Sequence, residues 1–141
     1  MENMGIQARG LSLRAHFGGA RHSSSLATHY YALFDGHPFA GGHEPALGVG
    51  GYGRAVVTNG AAMYGTPALG TTQIAILQDL VWPAATGLWS ITTELPWCAV
   101  YSSSSAGDLW YVFELPEAKK VENATDQPRV LAGGLIIRQG G

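Results

Sequence analysis

The chain has 141 residues and a net charge of −2, and only 13% of its residues are charged, about half the usual share of roughly 25%. This balance gives no electrostatic footprint for nucleic acid, and no run of about 18 apolar residues predicts a membrane span. Cys98 is the single cysteine, which excludes an internal disulfide and a cysteine-based zinc cluster. Because interface centres are depleted in charge, the composition favours a surface that other subunits partly cover.

The first 25 residues predict an N-terminal arm, and residues 26–141 predict one domain. The basic residues of the arm are Arg9, Arg14 and Arg21. Residues 26–141 hold five Lys or Arg against nine Asp or Glu, a sum of −4, so a basic arm and an acidic body favour contacts between copies. A short helix is predicted over Ala8–Phe17, although Gly10 weakens it. We expect the arm to contribute little to the core. Its three arginines are candidate interface residues.

Short strand-like segments follow in quick succession, each bounded by Gly, Pro, Asn, Asp or Ser. The predicted strands are Ala27–Phe34, Tyr52–Thr58, Gln73–Trp82, Leu88–Thr93, Trp97–Ser102, Leu109–Leu115, Ala118–Glu122 and Val130–Arg138. Such a series is typical of a sandwich or barrel. We predict an all-β fold, a jelly-roll-like β-sandwich with an N-terminal arm.

The stretch YSSSSAGDLWYVF is the clearest predicted hairpin, with two aromatic-rich strands joined by a Ser-Gly-Asp turn. Strict alternation places Tyr111 and Phe113 on one face of the second strand and Trp110 and Val112 on the other. Both faces are apolar, so either the second half of the sandwich or a neighbouring subunit covers the second face. Trp110 and Val112 are therefore candidate interface residues.

Gly48, Gly50 and Gly53 match the G-x-G-x-x-G spacing of dinucleotide-binding loops. That motif requires a helix that opens directly from the loop, so that its N-terminal N–H groups hold phosphate. Here three β-branched residues and Asn-Gly follow, which predict a strand and a tight turn. We interpret the glycines as a junction between a loop and a strand, and we expect no cofactor.

Other side chains give weak chemical signals. His37 and His43 could hold a metal, but the Pro and Gly residues between them favour a solvated loop. The serines at 102–105 near Asp108 lack a nucleophile elbow and favour a turn. Glu94 and Glu114 could form a glycosidase pair, which makes a glycan hydrolase the alternative to a structural role. Cys98 lies among apolar neighbours, which favours a buried, inert thiol. We expect neither a metal site nor an enzyme.

Four stretches together, THYYALFDG, GGYGRAVV, LVWPAATGLWSI and CAVYSSSSAGDLWYVFEL, resemble a family of small tailed-phage virion proteins. This family is labelled as tail fibre proteins and includes capsid decoration proteins. The similarity covers most of residues 26–115 and lies in turn glycines and core aromatic residues. It departs at Gly53, Trp82 and Ser90, and in the serines that replace an acidic turn. The resemblance implies a structural virion protein, and it carries over no catalytic or binding residue.

Within this family, a chain of 141 residues without an internal repeat lacks the means to build a fibre shaft. This favours a capsid decoration (cement) protein that stabilises the head by binding neighbouring capsomers. Its expected partners are further copies of itself, as a homotrimer, and the major capsid protein or another virion protein. The alternative is a tail fibre or baseplate module that contacts the host surface or its glycans. In either case we expect assembly in the bacterial host cytoplasm, location in the virion, and no nucleic acid or membrane partner.

Overall fold

The computed structural model of the chain describes residues 17–19, 25–67 and 73–138, and strands predominate in them. The strands are β1 Thr28–Phe34, β2 Ala55–Thr58, β3 Gln73–Ala75, β4 Leu80–Val81, β5 Leu95–Tyr101, β6 Leu109–Lys119, β7 Arg129–Val130 and β8 Ile136–Arg138. Helical structure amounts to the four-residue helix α1, Ala61–Tyr64, and the short 3₁₀ turns Pro38–Ala40 and Val49–Gly51 within these ranges. No helix of the described segments has the length and apolar character needed to cross a bilayer.

One antiparallel sheet contains four strands in the order β2-β1-β5-β6. Its central strands are rich in aromatic and β-branched residues, which fit a pleated, half-buried surface. Strand β6 lies at an edge, and this position tolerates Pro116 because an edge residue needs no ladder bond on its outer side.

The remaining strands form an interrupted antiparallel ribbon, with β3 paired to β8 and β4 paired to β7. Between the two pairs, the N–H of Ile76 donates to the carbonyl of Leu135 at 3.2 Å, and the Asp79 carboxylate accepts from the N–H of Ala132 at 2.8 Å. The predicted strands Gln73–Trp82 and Val130–Arg138 are therefore both present, and each is broken where the chain turns away.

Two other predicted strands are corrected. Residues 88–93 form no strand, because this segment bonds to a loop rather than to a ladder: the hydroxyl of Ser90 accepts from the N–H of Ala46 at 2.7 Å. Strand β6 includes Lys119 and ends there, so the predicted strand Ala118–Glu122 is a two-residue extension of β6 and not a separate element.

The main core lies between the inner face of the four-stranded sheet and the ribbon. The sheet contributes residues such as Tyr31 and Leu33, and the ribbon contributes Ile76 and Ile137. The all-β prediction is confirmed. The jelly-roll arrangement is not, because the described strands form one four-stranded sheet and a ribbon rather than two four-stranded sheets.

Phe17 is fully buried in this core although it belongs to the predicted arm. Its ring centroid lies 5.2 Å from that of Tyr64 and 5.1 Å from that of Tyr111. The expectation that residues 1–25 contribute little to the core is therefore wrong at Phe17. Residues 1–16 and 20–24, and with them the predicted helix except Phe17, lie outside the described residues.

Candidate assembly surface

The four-stranded sheet has a second face, which is turned away from the ribbon and which we call the outer face. Residues that share a strand face alternate along each strand, and the register therefore places cross-strand neighbours in rows. The rows are Phe34, Trp97 and Glu114; Ala32, Ala99 and Val112; and Tyr30, Tyr101 and Leu109, with Val56 beside Tyr30. The outer face is thus mainly aromatic and aliphatic.

The middle row shapes this face. Ala32 and Ala99 are fully buried, and their methyl side chains leave room above the backbone. Phe34 and Tyr101 stack diagonally across the row, with ring centroids 6.4 Å apart and planes 12° apart. Small residues in the middle therefore let large rings lie over the sheet and pack against each other.

A loop between β1 and β2 covers one end of the outer face. The His37 ring packs edge-on against Trp97, at 4.7 Å between centroids, while its Nδ1 accepts from the N–H of Phe39 at 3.1 Å. The N–H of His43 donates to the Asp35 carboxylate at 2.6 Å and closes the loop. Both histidines thus serve the loop structure, and in the described ranges no three His, Cys, Asp or Glu side chains come together as a metal site.

Arg54 joins this loop to the β5–β6 turn, an arrangement that we call the Arg54 clamp. Its guanidinium binds the Glu44 carboxylate through two bonds of 3.0 Å and donates to the carbonyls of Ser103 and Ala106 at 2.8 Å. The guanidinium carbon also lies 3.9 Å from the centroid of the Tyr101 ring. Only 4% of the Arg54 side chain is exposed, so these contacts replace its hydration.

Glu44 connects the clamp to the interior. Its carboxylate also accepts from the Tyr52 hydroxyl at 2.7 Å, and that hydroxyl accepts from the N–H of Leu33 at 3.1 Å. Burial, reinforced by the negative charge of Glu44, raises the pKa of Tyr52 well above its usual value. Burial likewise raises the pKa of Tyr101, with Glu44 acting in the same direction and Arg54 opposing it. Both phenols therefore stay protonated and serve as neutral donors or ring partners.

The two predicted interface residues of β6 do not share a face. Tyr101 pairs with Leu109 whereas Val100 pairs with Tyr111, so Trp110 is an extra residue in a β-bulge. Half-buried Trp110 therefore packs against the main core, whereas Val112 belongs to the outer face. Val112 is 3% exposed and offers almost no side-chain surface to a partner.

The remaining predicted residues are placed as follows. Arg9, Arg14 and Arg21 lie outside the described residues, and their interface role remains a prediction. Cys98 is fully buried on the inner face, and burial raises the pKa of its thiol.

The Gly48–Gly53 run forms the turn Val49–Gly51 and leads into β2 at Ala55, so the predicted junction between loop and strand is confirmed. Gly48, Gly50 and Gly51 have positive φ, and the carbonyl of Gly50 accepts from the N–H of Thr86 at 2.9 Å. These glycines are needed for backbone conformation and close approach.

The serine run forms the β5–β6 turn, where the Ser102 hydroxyl accepts from the N–H of Asp108 at 2.9 Å. Glu114 stands beside Trp97 on the outer face, whereas Glu94 precedes β5 by one residue. Sequence reasoning missed Arg54. The sequence does show an arginine at the start of a predicted strand in a chain with few charged residues. Its bonding partners lie 10 to 52 residues away along the chain, so the pattern does not identify them.

The family model described as "Podophage GP4 fiber I protein gp80" matches residues 12–138. This range includes the outer face, the Arg54 clamp and the whole described core. No curated protein matches the chain.

Proposed function

Because the chain belongs to the podophage GP4 fiber I protein gp80 family, a family of phage fibre structural proteins, we propose that it is a subunit of a fibre on the virion. In this proposal the protein acts by association, with copies of itself as a homotrimer and with other virion proteins, and not by catalysis. The family match carries the proposal. The aromatic outer face supports it, because Trp and Tyr are enriched where proteins meet.

Capsid decoration is the second candidate. The absence of an internal repeat in the sequence favours it, because extended shafts are commonly built from repeats. The fibre description of the family favours the first candidate. Both roles require stable contacts between protein surfaces, and they differ in where the protein sits on the particle.

Location on the particle tests the proposal directly. Virions would be labelled with gold-conjugated antibody against this chain and imaged by electron microscopy, beside particles made without its gene. We expect label on fibres, loss of those fibres without the gene, and unchanged heat stability of the head. Label spread over the capsid, with heads that lose heat stability without the gene, would establish decoration instead. Particles that carry no label would refute both roles.

A further inference from the structure

The outer face leaves apolar side chains in contact with solvent. Val56 is 63% exposed, and Tyr30, Trp97, Tyr101 and Leu109 are half-buried. Val56, Tyr30, Tyr101 and Leu109 form one row across all four strands. Phe34 stacks on Tyr101 and pairs with Trp97, and it therefore connects Trp97 to this row across the buried alanines. A contiguous apolar patch on a soluble protein usually marks an interaction surface. We infer that a second copy of this chain docks on the outer face, an inference that rests on the proposed function because it requires a protein that works by association.

Charge selects a second copy over other occupants. The charged groups of the outer face are Glu114, at its edge, and Arg54, whose guanidinium is already paired with Glu44. Asp79 lines a groove with Val56 beside this face, and its carboxylate accepts from the N–H of Ala132. A nucleic acid or an acidic glycan would find little positive charge to pair with. A second copy is itself poor in charge, with only 13% of its residues charged, so a contact with it covers apolar area with apolar area, while Glu114 at the edge keeps its contact with water.

The surface is also ordered before any partner arrives. Phe34 and Tyr101 stack over the alanine row, and the Arg54 clamp holds the Tyr101 ring from above. Ordering of side chains is a main cost of association, so a preorganised aromatic face loses less free energy on docking.

The size of the face limits what one contact can bury. With strands about 4.8 Å apart and about 3.3 Å per residue, four strands of up to seven paired residues give a face of roughly 450 Å² in projection, and the β1–β2 loop covers one end of it. This is less than the roughly 800 Å² of accessible surface that each partner of a standard interface buries. Contacts of this size stabilise an assembly when each copy makes more than one of them.

Two substitutions of matched exposure test the inference. Val56→Glu places a carboxylate on the outer face. Leu131→Glu is the control, because it places a carboxylate away from the outer face. Leu131 is 61% exposed and lines a separate groove of about 440 Å³ beside Pro116 and Arg129. Light scattering after size exclusion and sedimentation velocity would give the mass of the purified full chain and of each variant.

We expect the wild-type chain and Leu131→Glu to run as multiples of the 14.8 kDa protomer, and Val56→Glu to dissociate at least about tenfold more readily, because a buried, unpaired charge is costly. Val56→Thr, which keeps the β-branched shape, should associate more strongly than Val56→Glu. Equal urea midpoints of the wild-type chain and the two Glu variants, measured at a concentration where all three are monomeric, would show that the fold is intact.

Other results overturn the inference without touching the virion location. A wild-type chain that stays monomeric at its solubility limit would refute docking of a second copy, even if antibody labels the fibres. Dissociation by Leu131→Glu but not by Val56→Glu would move the interface to the groove. An oligomer that neither variant changes would place the interface on another surface. Conversely, disruption by Val56→Glu alone supports the docking surface whether the label falls on fibres or on the capsid.

Discussion

Removal of the Arg54 guanidinium should destabilise the chain strongly although the residue lies just before β2 and is not one of the apolar core residues. In Arg54→Ala, the carbonyls of Ser103 and Ala106 lose their donor, and the Glu44 carboxylate loses two charge-assisted bonds. Glu44 is 15% exposed at its side chain and keeps the Tyr52 hydroxyl as a donor. The carboxylate therefore keeps one hydrogen-bond donor and some contact with water after Arg54 is removed.

The expected cost follows from these contacts. Breaking a buried ion pair by removing one partner costs about 3–5 kcal/mol, and the residual hydration of Glu44 with its Tyr52 bond places this case at the lower end. Loss of the contact with the Tyr101 ring adds up to about 1–2 kcal/mol. We expect the free energy of unfolding to fall by about 3–5 kcal/mol, which corresponds to a Tm lower by roughly 10–20 °C for a domain of this size.

Urea unfolding monitored by tryptophan fluorescence would measure the change, with Arg129→Ala as the control. Arg129 is exposed and its guanidinium bonds only to the Gln127 side chain within the described residues, so its loss should cost less than about 0.5 kcal/mol. In a double-mutant cycle, Glu44→Ala should add little once Arg54 is absent. A cost below about 1 kcal/mol for Arg54→Ala, or full additivity in the cycle, would refute the clamp as a unit.

Four further predictions address the core, the glycine run and protonation. Phe17→Ala should cost about 3–5 kcal/mol of unfolding free energy because a buried ring is lost, whereas Phe39→Ala, at a ring that is 53% exposed, should cost far less; equal urea midpoints would place Phe17 outside the core. Gly50→Ala should destabilise the chain by more than about 2 kcal/mol, because Gly50 has φ of 61° and a Cβ there would overlap the Leu88 carbonyl. Gly53→Ala, the control, should be nearly neutral. Calorimetry should detect no binding of NAD or ATP to the chain, and an affinity tighter than millimolar would contradict the loop interpretation. Cys98 should react slowly with thiol reagents in the native state and rapidly in urea, because burial raises its pKa and blocks access; fast native labelling would show that β5 is exposed. The free energy of unfolding should fall as pH rises above about 9–10. Burial raises the pKa values of Cys98 and of tyrosines such as Tyr31 in the folded chain, so at high pH the unfolded chain releases protons that the folded chain keeps. A urea midpoint that stays constant from pH 8 to 11 would contradict this prediction.

Local patterns in the sequence were sufficient for the central hairpin. The segments around Trp97–Tyr101 and Leu109–Leu115 are dense in aromatic and β-branched residues and are joined by a Ser-Gly-Asp turn, and they form β5 and β6. Their pairing is local, so neither propensity nor turn chemistry is overruled by distant contacts. The same argument explains why the Gly48–Gly53 run was interpreted correctly as leading into a strand.

The sequence could not predict on which face of the sheet Trp110 lies. One extra residue in a strand moves all side chains beyond that residue to the opposite face. The alternation along Leu109–Leu115 is intact in the sequence and gives no sign of the bulge. The strand prediction for residues 88–93 was wrong for another reason. These residues have strand propensity, but their hydrogen bonds, such as that between Ser90 and Ala46, go to a distant loop and not to a neighbouring strand. Arg54 was missed for the same reason, since its carbonyl partners are about fifty residues away.

The low charge of the chain has a structural counterpart in how its carboxylates are used. Asp35, Asp79 and Asp126 each accept from backbone N–H groups of loops, and Glu44 binds Arg54. These four of the ten acidic residues therefore hold loops in place and contribute less to a charged surface than free carboxylates would. Solubility of a separate protomer depends on interspersed surface charge, and the outer face has little. Association that covers this face removes apolar area from water and needs no compensating charge on either side, which is why a single carboxylate at Val56 should be enough to oppose it.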